Sequence, residues 1–182
     1  LALAKGKSIM RVLDLHLFTP IKPMLAEMSY SLDEVLKEHG GTTAFEYKFD
    51  GARIQIHKKG DEVKIYSRRL SDVTSSLPEI VVQISNDIHA EEALVEGEAI
   101  ALGENGKPLS FQDLMRRFRR KKNVSEAQKN VPIRLFIFDI LYKDGAELLD
   151  TPYSERWRIL GDTVSPNLLA PRIVTNSIPE AQ

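Results

Sequence analysis

The stretch Phe45-Glu46-Tyr47-Lys48-Phe49-Asp50-Gly51-Ala52-Arg53 constrains this chain more than any other. Aromatic and charged residues alternate as far as Asp50-Gly51, a dipeptide suited to a tight turn. Successive strand side chains point to opposite faces, so Phe45, Tyr47 and Phe49 share one face and Glu46, Lys48 and Asp50 the other. The expected form is a hairpin. Beyond its turn, Ala52, Ile54 and Ile56 join the apolar layer, leaving Arg53, Gln55 and His57 opposite. Lys48 thereby lies beside a glutamate, an aspartate and an arginine. A lysine on a rigid strand among charges is a candidate covalent nucleophile. The plain alternative is an amphipathic hairpin with a solvated charged face.

With 182 residues, 42% of them hydrophobic and 28% charged, the chain can bury the core of one folded domain. A formal net charge of −1 excludes a global basic signature, so any nucleic-acid contact must come from a local patch. The absence of cysteine excludes disulfides and thiolate metal sites, which fits a reducing compartment. His16, His39, His57 and His89 are scattered and suggest no zinc site. No apolar run is long enough to span a bilayer, so no membrane partner is expected.

Along the chain, Leu1 to about His16 has helical spacing, closed by Pro20 and Pro23. A short helix follows from Ser31, stopped at Gly40-Gly41. Gly60-Asp61 turns the chain into a strand over 62–67. Pro78 begins a helix capped by Ser76, with Leu77, Ile80, Val81, Ile84 and Ile88 as its apolar stripe. A strand over 93–102 precedes a helix opened by the capping box at Ser110 and Asp113, with Phe111, Leu114, Met115 and Phe118 inward. Residues 133–142 read as a strand buried on both faces, Asp144-Gly145 as a turn, 154–160 as a helix ending at Gly161, and 168–175 as a last strand. The class is α+β, antiparallel sheets flanked by helices.

Lys48-x-Asp50-Gly51-x-Arg53 resembles the nucleotidyl-transfer motif shared by ATP-dependent DNA ligases, RNA ligases and mRNA-capping enzymes. Similar segments follow in the family's order: Ser67-Arg68, Val95-Glu96-Gly97-Glu98 and Phe136-Ile137-Phe138-Asp139-Ile140. Ile21-Lys22-Pro23-Met24-Leu25-Ala26 resembles the start of the adenylation domain in archaeal and eukaryotic-type DNA ligases. The resemblance covers residues 18–175 and implies the nucleotidyltransferase (ATP-grasp-like) fold, with ATP held between two sheets. Residues 1–17 are then a linker or the end of a preceding DNA-binding domain. Residues 18–182 are an adenylation domain that stops before the later glutamate- and lysine-containing segments and the OB-fold, so the piece alone is expected to seal no nicks.

The resemblance implies roles residue by residue. Lys48 attacks ATP and takes AMP. Glu46 lies by the adenine edge and Phe138 stacks on the base, a core position being the alternative for Phe138. Arg53 lies near the ribose and phosphates, Arg68 near the α-phosphate or the DNA 5′-phosphate. Glu98, more than Glu96, meets ribose hydroxyls or magnesium, a hard cation that prefers oxygen. The run Arg116, Arg117, Arg119, Arg120, Lys121, Lys122 is either a DNA-phosphate patch or a solvated face. The implied cofactors are ATP and Mg2+ and the implied partner is nicked double-stranded DNA, with a sliding clamp as a further candidate. A monomer is expected, cytoplasmic in an archaeon or nuclear in a eukaryote. The competing readings are an RNA ligase or capping enzyme, and a catalytically incomplete DNA-binding module.

Overall fold

The computed structural model describes residues 15–103, 106–118 and 124–182. The helix expected over 1–16 lies mostly outside them. The frame is a five-stranded antiparallel sheet, β2 (Ala52–Lys59), β3 (Glu62–Ser67), β4 (Glu92–Ala101), β5 (Ile133–Lys143) and β6 (Ala146–Glu147), in the order β3-β2-β4-β5-β6. A second, two-stranded sheet pairs β1 (Thr43–Glu46) with β7 (Arg172–Thr175).

This arrangement corrects the hairpin expected over 45–53. Strands β1 and β2 belong to different sheets, and residues 47–51 form the crossing between them. Lys48 therefore sits on an irregular segment. Tyr47 is 74% exposed while Phe49 stacks on Phe136, with ring centroids 4.4 Å apart. The two rings stay near each other, with centroids 6.1 Å apart, but only Phe49 is packed against the sheet.

From β2 onward the alternation holds. Ala52, Ile54 and Ile56 point into the main core with Ile65, Val95, Ala99, Leu135 and Ile137. Three helices cover that side: α2 (Pro78–Asp87) through Ile80 and Ile84, α3 (Phe111–Phe118) through Leu114 and Phe118, and α5 (Tyr153–Thr163) through Leu160. The remaining helices are α1 (Leu32–Glu38), α4 (Val124–Asn130) and α6 (Ile178–Ala181); α4 and α6 have no counterpart in the sequence reading.

Turns and caps follow local chemistry closely. Ser31 caps α1 by accepting the Glu34 amide, and Ser110 accepts that of Asp113. Gly40, Gly41, Asp144 and Gly145 take the positive φ their turns require. Other expectations shift. Pro78 does start α2, but the cap position is Leu77 and no side chain bonds there, so Ser76 is not the cap. Phe111 is 41% exposed, not inward. Helix α5 runs through Gly161 to Thr163, because burial of Leu160 and Val164 outweighs the cost of on the order of 1 kcal/mol for glycine in a helix. Strand β5 is buried on the core face along most of its length, with Phe136 and Phe138 half-buried on the other face. It is buried on both faces only near Leu141, which packs on Leu94 and Leu15.

Candidate active site

The second face of the large sheet carries a small apolar cluster of Leu94 and Leu141 at one end and polar residues beside it, ordered by the strand register. Arg53 stands opposite Glu98, and Gln55 opposite Glu96. Arg53 forms an ion pair with Glu96, and Gln55 Nε2 donates to the other Glu96 oxygen at 3.2 Å. Glu96 is thus the engaged member of the carboxylate pair. Glu98 is the member turned to the site, where the backbone at Gly51 lies close against it. Burial pushes the Glu98 carboxyl above its usual range, opposed by the positive charges of Lys48, Arg53 and Arg68. Three cations from three separate chain segments thus act on one half-buried carboxylate.

Gly51 makes this convergence possible. A Cβ there would overlap the Ala99 carbonyl oxygen and lie 2.9 Å from Glu98 Cγ. The crossing segment can press against β4 only because position 51 has no side chain. Gly97 plays a similar part, since a Cβ would lie 2.7 Å from the Phe136 carbonyl oxygen where β4 and β5 slip register. That slip brings Phe138 beside Arg53, whose guanidinium carbon lies 5.4 Å from the ring centroid.

Lys48 is exposed, its Nζ 3.4 Å from the Phe49 carbonyl oxygen, and borders a concavity of about 420 Å³ shared with Tyr47, Asp50, Ile100 and Ser110. Glu46, at the end of β1, accepts a hydrogen bond from the Tyr153 hydroxyl. Arg68 is exposed just past β3 and lines a narrow crevice with Pro23, Arg53 and Glu96. The structure thus brings Lys48, Arg53, Arg68, Glu98 and Phe138 together, with Glu46 at the border.

The leading peptide is strapped across this face. Phe18 N–H donates to His57 Nδ1 at 2.9 Å and the Phe18 carbonyl accepts from Tyr66. Gln55 accepts from the Ile21 amide and donates to its carbonyl, while Arg53 reaches the Met24 carbonyl. Gln55, His57 and Tyr66 are all buried, so the strap rests on polar groups that β2 and β3 hold in place and, through Leu15, Leu17 and Ile21, on Leu94 and Leu141. The alternation in β2 located Gln55 and His57, but not their partners.

The basic run does not form one exposed face among the described residues. Arg117 is fully buried, forks onto Glu79 at 2.7 and 2.8 Å and donates to the Ser76 carbonyl. It clamps α3 to α2, which corrects its reading as a phosphate contact. Arg116 is exposed and paired with Asp113 at 3.0 Å. Arg119 and Arg120 lie outside the described residues. No cluster of three or more metal-ligating side chains occurs among the described residues, and no helix there is long and apolar enough to cross a membrane.

An exposed lysine, a half-buried carboxylate near cations and an aromatic ring thus share one region of an α+β frame of antiparallel sheets. The family model described as ATP dependent DNA ligase domain matches residues 23–182, and the chain belongs to that family. It is 50% identical over 159 residues to a DNA ligase of Methanothrix thermoacetophila, covering 87% of this chain and 28% of that protein. It is 48% identical over 166 residues to one of Thermococcus fumicolans, covering 90% and 30%. This chain therefore spans about 30% of the length of such relatives. Among solved structures, the ligase domain of LigD from M. tuberculosis is similar at a TM-score of 0.50 and 25% identity, over 66% of this chain and 36% of that one.

Proposed function

We propose that this chain is the adenylation domain of an ATP-dependent DNA ligase and that Lys48 is its nucleophile. The observation that carries the reading is Lys48 at the rim of an open concavity, with Arg53 opposite Glu98 in the sheet and Arg68 in the neighbouring crevice. The Lys48 amine attacks the α-phosphorus of ATP. A nitrogen–phosphorus bond forms, the bond to pyrophosphate breaks, the amine loses a proton, and AMP remains on Lys48. AMP then passes to the 5′-phosphate of nicked double-stranded DNA, and attack by the 3′-hydroxyl closes the strand and releases AMP.

The other residues position and neutralise. Arg68, exposed beside the crevice, offers a planar fork to phosphate oxygens, and Arg53, held by Glu96, adds positive charge beside the ribose and phosphates. The buried Arg53 Nε has no hydrogen-bond partner in the structure, a donor suited to such an oxygen. Phe138 supplies an aromatic surface for adenine, and the Glu46 carboxylate lies at its amine edge. Glu98 fits a magnesium ion carried by the nucleotide, since Mg2+ is commonly held by one or two carboxylates together with substrate phosphates. Such an ion would neutralise charge on the phosphates; Glu96, engaged by Arg53 and Gln55, is not its ligand.

The test is intact-protein mass spectrometry of the full-length ligase after incubation with ATP and magnesium. Lys48→Ala and Lys48→Arg should both lose the AMP adduct, the second because a guanidinium stays protonated. An adduct of unchanged yield in either variant refutes the assignment.

A further inference from the structure

Tyr153 does more than fill space at the start of α5. Its hydroxyl donates to the Glu46 carboxylate and lies 3.2 Å from the carbonyl oxygen of Phe138. Glu46 belongs to the two-stranded sheet and Phe138 to the five-stranded one. One hydroxyl therefore spans the two sheets, touching the side chain assigned to the adenine edge and the backbone of the ring assigned to its face. We propose that Tyr153 is a positioning residue for nucleotide selection, fixing the Glu46 carboxylate so that it accepts from the exocyclic amine of adenine. The inference rests on the reading of Glu46 given above.

The surroundings make this a built contact. The Tyr153 ring meets Trp157 edge-on at 6.4 Å, and Arg172 lies over Trp157 at 4.2 Å. Arg172 is opposite Glu46 in the β1–β7 register, yet its guanidinium lies on the indole and not on the carboxylate. The tyrosine hydroxyl thus orients Glu46, leaving carboxylate lone pairs for a ligand. Burial, and then the hydrogen bond to Glu46 and its charge, push the phenol above its ordinary range, which keeps it a donor at any working pH. A freely rotating glutamate on an exposed strand end would spend rotamer entropy on binding a base; one already held does not.

Adenine and hypoxanthine differ at this edge, an amine in the first and a carbonyl in the second. A carboxylate fixed opposite position 6 accepts from the amine and repels the carbonyl, whereas a freely rotating one can turn to the N1–H that hypoxanthine carries and adenine does not. The experiment measures kcat/KM for self-adenylylation of the full-length ligase with ATP and with ITP. For Tyr153→Phe, whose ring can stay against Trp157, the ATP value should fall about tenfold through KM, the scale of one hydrogen bond to a charged group. The ITP value should change less than twofold, so the ATP/ITP ratio collapses about tenfold. In a Glu46→Ala background Tyr153→Phe should leave the ratio unmoved. If Tyr153→Phe lowers ATP and ITP alike, or neither, while Glu46→Ala still collapses the ratio, Tyr153 only packs and the inference is overturned. If Glu46→Ala itself leaves the ratio intact, Glu46 does not read adenine, and the inference falls with that assignment. A thermal unfolding curve of each variant separates lost selection from lost fold.

Discussion

Acidification should detach the leading peptide from the sheet through one histidine. His57 is completely buried, and burial holds its imidazole down at about 4. Its Nδ1 accepts the Phe18 amide proton, so the neutral ring carries its own proton on Nε2, toward Gln55 Oε1 at 2.9 Å. Protonating Nδ1 would set two donors against each other. In the unfolded chain the ring titrates near its ordinary 6.5. The folded value lies below the unfolded one, so the stability His57 contributes is complete above about pH 6.5 and is lost as the pH falls toward 4. Linkage makes the loss about 1.4 kcal/mol per pH unit across that window, or roughly 2 kcal/mol by about pH 5.

The assay compares urea unfolding of the parent and His57→Gln, followed by circular dichroism at pH 7 and pH 5. The glutamine keeps an acceptor for Phe18 but cannot gain a proton. With a urea slope of about 2 kcal/mol per M, the parent midpoint should drop about 1 M further than that of the variant. Glu92 and Glu155, whose carboxyls are held low by hydrogen bonds from Lys59 and Arg158, titrate in both proteins and cancel. Equal pH dependence in the two proteins would refute the argument. Because Gln55 joins the strap to Glu96, and Arg53 reaches Met24, adenylylation in the full-length ligase should fade over the same window.

Three further outcomes follow from individual side chains. Arg117→Ala leaves the Glu79 carboxylate and the Ser76 carbonyl without their partner and should cost about 3 kcal/mol in urea unfolding, against under about 0.5 for the exposed Arg116→Ala; a loss below about 1 for Arg117 would deny it the role of clamp. Gly51→Ala drives a Cβ into the Ala99 carbonyl, so the crossing segment must retreat from β4. A shift of about 1 Å in a reacting group can cost on the order of a hundredfold, and an adenylylation rate within twofold of the parent would contradict the packing described. Glu98→Gln removes a carboxyl whose folded pKa burial has raised, so the parent bears a penalty once the pH rises through that value and none below the ordinary carboxylate range. The variant should melt higher than the parent at neutral pH, match it below about pH 4, and adenylylate far more slowly; a lower melting point at pH 7 would reverse the reasoning.

What the chain spells out directly is what depends on a few neighbouring residues. Ser31 and Ser110 cap helices because their hydroxyls reach amides three positions on, and Gly40, Gly60 and Gly145 turn the chain because they tolerate positive φ. The two-residue period of β2 separates Ile54 and Ile56 from Arg53, Gln55 and His57 whatever the rest of the chain does. The order of segments around Lys48, Arg68, Glu98 and Phe138 likewise points to the family from the chain alone. Period and propensity, however, say nothing about which strand will be a neighbour. The 45–53 stretch looked like a hairpin because its local pattern suits one, yet β1 pairs with β7 from the far end of the chain and β2 with β3 and β4. Arg117 looked like surface because arginine usually is; it is buried because Glu79 and the Ser76 carbonyl, remote in sequence, satisfy it. Tyr153 gave no signal at all, since its hydroxyl has meaning only where two sheets meet. Tertiary structure decided these points, because a hydrogen-bond partner or a pairing edge is a property of what packing brings within about 3 Å, not of what lies next along the backbone.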